Sequence, residues 1–203
     1  PWAFTDAESV TAQGEKTTER STPSRILPKI ELVNGDIRDI KTQAVVVGHY
    51  QGLLPTRAVG ALDRALDFWI SQAVMRGMIG GGLGEVFLIP NTQKSLAADT
   101  VILAGMGEYG RFNREDQELL YANVTYAVTA LGWREFATVV IGSGEGNLSI
   151  DQAVEGMLEG VGSALRRLKG QGRLDVLRIV ELTMGRFEVI QGLLDNISKN
   201  QSD

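Results

Sequence analysis

The run Thr138-Val139-Val140-Ile141-Gly142-Ser143-Gly144-Glu145-Gly146-Asn147-Leu148-Ser149 constrains this chain more than any other stretch. Thr138 to Ile141 is β-branched and apolar, the pattern of a strand covered on both faces. Gly142, Gly144 and Gly146 then alternate with Ser143 and Glu145, giving a backbone free to enter conformations that other residues avoid. Ser149 with Gln152 three residues later predicts the start of a helix. A strand, a bare-backbone loop and a helix N-terminus can cradle an anion, because first-turn N–H groups lack partners and the helix dipole favours negative charge. The same sequence also serves as a plain tight connection, so the loop alone leaves both roles open.

Around this centre, apolar runs of strand length alternate with runs at helical spacing. Ile30 to Val33, Ala44 to Val47, Glu85 to Ile89, Thr100 to Ala104, Thr138 to Ile141 and Val176 to Leu182 read as strands. Helices are expected from Thr56 to Gly77, from Asn113 to Leu131, from Ser149 to Lys169, and in the segment holding Phe187, Ile190, Leu194 and Ile197. Asn113 with Asp116 is an N-terminal cap signal. Asp63, Arg64 and Asp67 read as a solvated face of the first helix. Gly156 and Gly160 inside a helix cost stability, which points to close backbone packing there. Gly80 to Gly84 leads into a strand, not a helix, so it reads as a flexible hairpin or lid instead of a phosphate loop. The alternation predicts an α/β fold, a three-layer α/β/α sandwich on a mostly parallel sheet of about six strands. Residues 1–25 are polar and read as a tail or linker, 26–198 as the domain, and 199–203 as a second polar tail.

In such folds ligands bind at the carboxyl ends of the strands. Those ends carry Asn34-Gly35-Asp36-Ile37, Gly48-His49, Gly105-Met106-Gly107 and Gly142 to Gly146. The candidate ligand-binding residues are therefore Asp36, Ile37, Gly48, His49, Gly142, Ser143, Gly144, Glu145 and Gly146. Asn-Gly-Asp is also an ordinary turn sequence, and a histidine at a strand end is often a simple loop residue. Glu108 and Glu145 sit at neighbouring strand ends as a possible carboxylate pair. The chain has no cysteine and one histidine, His49, so thiolate chemistry and histidine-rich metal centres are excluded within it. No metal and no cofactor are expected. A net charge of −5 argues against a general nucleic-acid binder. Arg166, Arg167, Lys169 and Arg173 fit a helix C-terminus better than a basic patch. No apolar run reaches membrane-spanning length, and the expected setting is the cytoplasm. The start at Pro1 suggests a piece of a longer protein.

The order of these motifs carries two resemblances. Ile30 to Ile37, with its Gly-Asp-Ile turn, and Gly142 to Gly146 resemble the first strand and second phosphate loop of macro domains. That likeness implies that Asp36 meets the adenine of ADP-ribose. The family's first phosphate loop corresponds to Leu53 to Leu62, where Pro55-Thr56-Arg57 replaces a run of glycines. Val46-Val47-Gly48-His49 stands in place of the family's Asn-Ala-Ala-Asn run, a departure that argues against inherited ADP-ribosyl hydrolysis. Ala58 to Ala65, Gly84 to Pro90 and Val101 to Gly107, in that order, are closer to the N-terminal domain of cytosol-type leucine aminopeptidases. The resemblance spans residues 30 to 170. It implies a non-catalytic module for regulation or protein interaction, because that family's metals and catalytic residues lie in a C-terminal domain whose signature is missing here. Similar modules precede CHAT domains in bacterial multidomain proteins. A protein partner or self-association is thus expected, with ADP-ribose or a related nucleotide as the alternative ligand.

Overall fold

The computed structural model describes residues 27–144 and 148–200. The chain runs β1 (Lys29–Asn34), a 3₁₀ turn (Ile37–Asp39), β2 (Ala44–His49), α1 (Arg57–Ala65), α2 (Trp69–Met75), β3 (Val86–Pro90), β4 (Thr100–Gly105), α3 (Arg114–Ala130), β5 (Glu135–Thr138), α4 (Ile150–Leu168), β6 (Val176–Glu181) and α5 (Met184–Asn200). The six strands form one sheet in the order β1-β6-β5-β2-β4-β3. All neighbours are parallel except β3, which runs antiparallel to β4 at one edge.

Strand alternation divides the core between the two faces. Val46, Ile102, Leu177 and Ile179 pack with Tyr121, Met157 and Ile190 from α3, α4 and α5. Val45, Val47, Val101, Leu103 and Val180 pack on the other face with Leu62 and Ile70 from α1 and α2. The result is an α/β/α sandwich with a mostly parallel sheet.

Both cap signals operate. Asn113 and Asp116 form a reciprocal capping box at α3, and Ser149 and Gln152 form one at α4. Gly156 and Gly160 lie where α4 crosses α3. A Cβ at Gly160 would sit 2.3 Å from the Glu118 carbonyl oxygen, and one at Gly156 would sit 3.0 Å from Cγ of Gln117.

Three expectations are corrected. The helix expected from Thr56 to Gly77 is two helices, broken where Asp67 and Phe68 adopt left-handed backbone (φ 54° and 58°). Asp63 belongs to this break and not to a solvated face: it is 3 % exposed. Its carboxylate accepts the Ser71 N–H at 3.0 Å and the Ser71 hydroxyl at 2.5 Å, serving the first turn of α2 from eight residues away. The strand expected over Thr138 to Ile141 instead ends at Thr138 and begins at Glu135. Beyond it the Val139 carbonyl turns away from the sheet to accept from the Tyr121 hydroxyl (3.0 Å) and the Ile141 N–H (2.9 Å). Gln117 then donates its Nε2 to the Ile141 and Ala153 carbonyls. Side chains from α3 thus replace the sheet ladder just as the chain reaches the sheet's carboxyl edge. Third, the run Gly80 to Gly84 is tied down instead of forming a free lid. Gly107 N–H donates to Gly81, Gly84 N–H to Gly105, and the Glu85 carboxylate accepts the Gly82 N–H at 3.0 Å. A Cβ at Gly105 would fall 1.9 Å from the Gly82 oxygen, so this strand end accepts only glycine.

Candidate functional site

A crevice of about 680 Å³ opens at the carboxyl ends of the parallel strands. The turn after β1 supplies Asp36, Ile37 and Arg38; β2 supplies Gly48 and His49; the chain after β5 supplies Val139 to Gly142 and Gly144; and the end of β6 supplies Glu181 to Thr183. The loop before α1 and its first turn add Leu53, Leu54, Thr56, Arg57 and Ala58, and Arg186 reaches in from the first turn of α5.

Of the sequence-derived candidates, Asp36, Ile37, Gly48, His49, Gly142 and Gly144 meet around this one crevice. Ser143 is buried in the loop itself, with its hydroxyl donating to the Val140 carbonyl at 2.8 Å. Glu145 and Gly146 lie outside the described residues. Glu108 pairs with Arg111 on the surface.

Two glycines are dictated by close approach. Gly142 has φ 84°, and a Cβ there would touch Leu148 and Phe112 at 3.0 Å. A Cβ on Gly48 would meet Ile141 Cγ2 and Met106 Sδ, each at 2.5 Å.

Arginines that the sequence did not single out dominate the charge. Arg38 forks onto Asp36: its Nε donates to Oδ1 at 3.0 Å and its Nη2 to Oδ2 at 2.7 Å, while the Arg38 backbone N–H also donates to Oδ1 at 2.9 Å. These bonds hold the Asp36 carboxyl below its ordinary pKa, the side-chain bond from Arg38 being the largest cause. Arg186 reaches from α5 to the glycine loop. Its Nη2 donates to the Ser143 hydroxyl at 2.7 Å, its Nη1 to the Ser143 carbonyl at 3.2 Å, and its Nε to Glu181 at 3.0 Å. Burial disfavours a charged Glu181. The Thr183 backbone N–H, the Arg186 guanidinium and the Thr183 hydroxyl more than offset this and lower its pKa. A lone arginine two residues after an aspartate, or one turn into the last helix, carries no distinctive sequence signal. Only the fold brings Arg38, Arg57, Arg64 and Arg186 to one crevice.

The first turn of α1 faces the crevice through Thr56, Arg57 and Ala58. Thr56 occupies the cap position but its side chain makes no capping hydrogen bond, which leaves the helix N-terminus to other acceptors. Arg57 has left-handed backbone (φ 49°), and its Cδ lies 3.8 Å from where a Gly144 Cβ would stand.

His49 is 3 % exposed and its Nε2 has no hydrogen-bond partner. Burial lowers its pKa, opposed in part by the Glu85 carboxylate. Because the folded pKa lies below the unfolded value near about 6.5, stability from this group is full above that value and falls as the pH drops toward the folded one. His49 is the only histidine, and the lowered carboxyls of Glu31, Asp36, Asp151 and Glu181 begin to act only below about pH 5. The urea midpoint is therefore expected to fall between pH 7 and pH 5, and His49→Gln is expected to flatten that dependence. An unchanged slope in the variant would assign the effect elsewhere.

The layering, the strand order and the crevice at the carboxyl edge define a macro-type α/β/α domain. The Oceanobacillus iheyensis macrodomain with MES bound superposes with a TM-score of 0.69 at 17% identity, covering 85% of this chain and 94% of that one. The Trypanosoma brucei macrodomain in complex with ADP-ribose gives 0.67 at 20% identity, covering 82% and 70%. At such identities the likeness establishes the fold. Residues 46–167 match the model of the cytosol aminopeptidase family, N-terminal domain, and the chain belongs to that family. A probable cytosol aminopeptidase of Halorhodospira halophila is 32% identical over 85 residues, 42% of this chain and 17% of that protein. One from Actinobacillus pleuropneumoniae is 28% identical over 102 residues, 50% of this chain and 20% of that protein. The match thus spans about a fifth of these relatives' length or less. Among the described residues no helix is long and apolar enough to cross a membrane, and no group of three or more His, Asp or Glu side chains is arranged to hold a metal ion.

Proposed function

We propose that this domain binds an anionic nucleotide of the ADP-ribose class without turning it over, and serves as a cytoplasmic regulatory module of a larger protein. The crevice carries this reading. Its volume of about 680 Å³ falls within the range of small-molecule sites, and its lining pairs an apolar floor with arginines and a helix N-terminus. The carboxylates described at the crevice support a reading without turnover. Asp36 and Glu181 are held ionised by internal donors, so neither is a free base, and the imidazole of His49 is buried. The complexes of macrodomains with ADP and with ADP-ribose make that ligand class the natural first probe.

Isothermal titration with ADP-ribose tests the proposal. A Kd in the tens of micromolar, about 6 kcal/mol, is expected for the wild-type chain. Gly144→Val, whose side chain would grow toward Arg57 across the crevice, is expected to weaken binding at least tenfold while the fold is retained. Equal affinity in both would place the ligand elsewhere.

A second reading has its own observation. Phe68, Trp69, Met75 and Met78 are all exposed along the α2 hairpin, and Phe68 is held there in left-handed backbone. Backbone strain of this kind at an exposed aromatic suits a surface that meets a protein partner or a second copy of this chain. Sedimentation across a hundredfold range of concentration tests the second-copy form of it: self-association that Phe68→Ser abolishes is expected, and a constant monomer would remove it.

A further inference from the structure

The two carboxylates in the crevice face inward in a chemical sense. Asp36 accepts three hydrogen bonds, all from Arg38. Glu181 accepts three as well, from the Thr183 N–H, the Thr183 hydroxyl and Arg186 Nε. A carboxylate offers about four acceptor positions, so each is close to saturated before any ligand arrives. Arg38 is in the opposite state, whereas the three nitrogens of Arg186 are each held by Glu181 or Ser143. Arg38 meets Asp36 through Nε and Nη2, which leaves the edge formed by its two terminal nitrogens unengaged by that carboxylate. The crevice therefore offers donors at the turn after β1 and few acceptors.

We infer that Arg38 sets the ligand specificity of this crevice, selecting a planar group that presents two adjacent acceptors, the O6/N7 edge of a keto purine, over the amino-bearing edge of adenine. The inference rests on the nucleotide-binding reading above and adds to it which base is taken. The parallel N–H pair at the end of a guanidinium matches O6 and N7 of guanine or hypoxanthine, the commonest base-specific arginine contact. Adenine presents an amino donor at the same place, and its natural acceptor, Asp36, is already occupied. To pair with Asp36, adenine must take the one position left on Oδ2, against the Arg38 guanidinium, or displace Arg38. Displacement breaks two side-chain bonds of a tight local fork and sets the amino group against the released guanidinium. The pair is partly exposed, at 46% for Arg38 and 22% for Asp36, so the discrimination expected is moderate, on the order of tenfold. The position along the crevice fits the same ligand. The turn after β1 and the loop after β5 lie two strands apart in the sheet, roughly 10 Å; Arg57 lies beside Gly144 of that loop, and Arg186 bridges its Ser143 to Glu181 at the end of β6. A base at Arg38 thus leaves its diphosphate beside those two cations.

Titrations of the whole chain with ADP, GDP and IDP, and with inorganic pyrophosphate as a control without a base, test the inference. GDP and IDP are expected to bind about equally and roughly tenfold more tightly than ADP. Arg38→Ala, checked for an unchanged thermal midpoint, is expected to erase the preference by weakening GDP and IDP while leaving or improving ADP. Arg38→Gln supplies a second, milder variant if the alanine form is unstable. ADP binding as well as GDP in the wild type, or a GDP-to-ADP ratio unchanged by either substitution, would overturn the role given to Arg38 and leave nucleotide binding standing. Absence of binding by all three nucleotides and by pyrophosphate would overturn the underlying reading and the inference with it.

Discussion

Gly160→Ala is expected to lower the stability of this domain by about 2–3 kcal/mol, although alanine is the better helix former by about 1 kcal/mol. The reason is the backbone oxygen of Glu118. It would lie 2.3 Å from the new methyl group, with Tyr121 Cβ and Ala122 N at 3.0 and 3.1 Å. Flexible side chains can rotate out of such a clash, but a helix backbone moves only as a unit, so α4 must shift away from α3. The displacement also strains the bonds by which Gln117 holds the Ile141 and Ala153 carbonyls, and so reaches the crevice. Gly192→Ala is the control. It sits in α5 with nothing near its added methyl group, and it is expected to gain about 0.5–1 kcal/mol from reduced chain entropy. Thermal unfolding separates the two: the first midpoint falls by about 5–10 °C and the second rises by a few degrees. A neutral Gly160→Ala would mean that the α3–α4 contact is looser than described.

Arg186→Ala is expected to have the second largest effect, on stability and on binding together. It removes two bonds to Ser143 and the bond to Glu181, whose carboxylate is only 11% exposed. Removing a charged partner from such a group costs on the order of 2 kcal/mol. The glycine loop loses its tie to α5 at the same time, and the crevice loses a cation, so ADP-ribose affinity is expected to fall at least tenfold. Arg186→Lys is expected to recover little, because an ammonium cannot span Glu181 and both Ser143 oxygens. Denaturant midpoints and titration on the same preparations give both readouts. Full affinity in the alanine variant would remove Arg186 from the binding site.

Local chemistry was legible in the sequence. The Asn113 and Ser149 caps, the helix-packing glycines and the six apolar runs each depend on residues within one turn or one strand, and they recur in the structure as six strands in a mostly parallel sheet between helical layers. The misreadings share a cause: a partner distant in sequence. The break between α1 and α2 depends on Asp63 reaching Ser71, a spacing with no helical period. The early end of β5 depends on Tyr121 and Gln117 of α3 capturing carbonyls that a strand would have given to its neighbours. Glycine-bearing strand ends located the crevice, because parallel strands share one carboxyl edge. Its charge was hidden, because Arg38, Arg57, Arg64 and Arg186 come from the turn after β1, from α1 and from α5, and converge only through the strand order.

The most direct test of the central claim is calorimetric titration of the chain with ADP-ribose, with GDP, and with ribose phosphate as the minimal control. Saturable binding of both nucleotides, with Kd in the tens of micromolar or tighter, weak binding of ribose phosphate, and loss of heat in Gly144→Val is the predicted result. No saturable heat from either nucleotide at millimolar concentration, with a thermal midpoint equally unmoved, would contradict a ligand-binding crevice and leave the exposed α2 surface as the functional face.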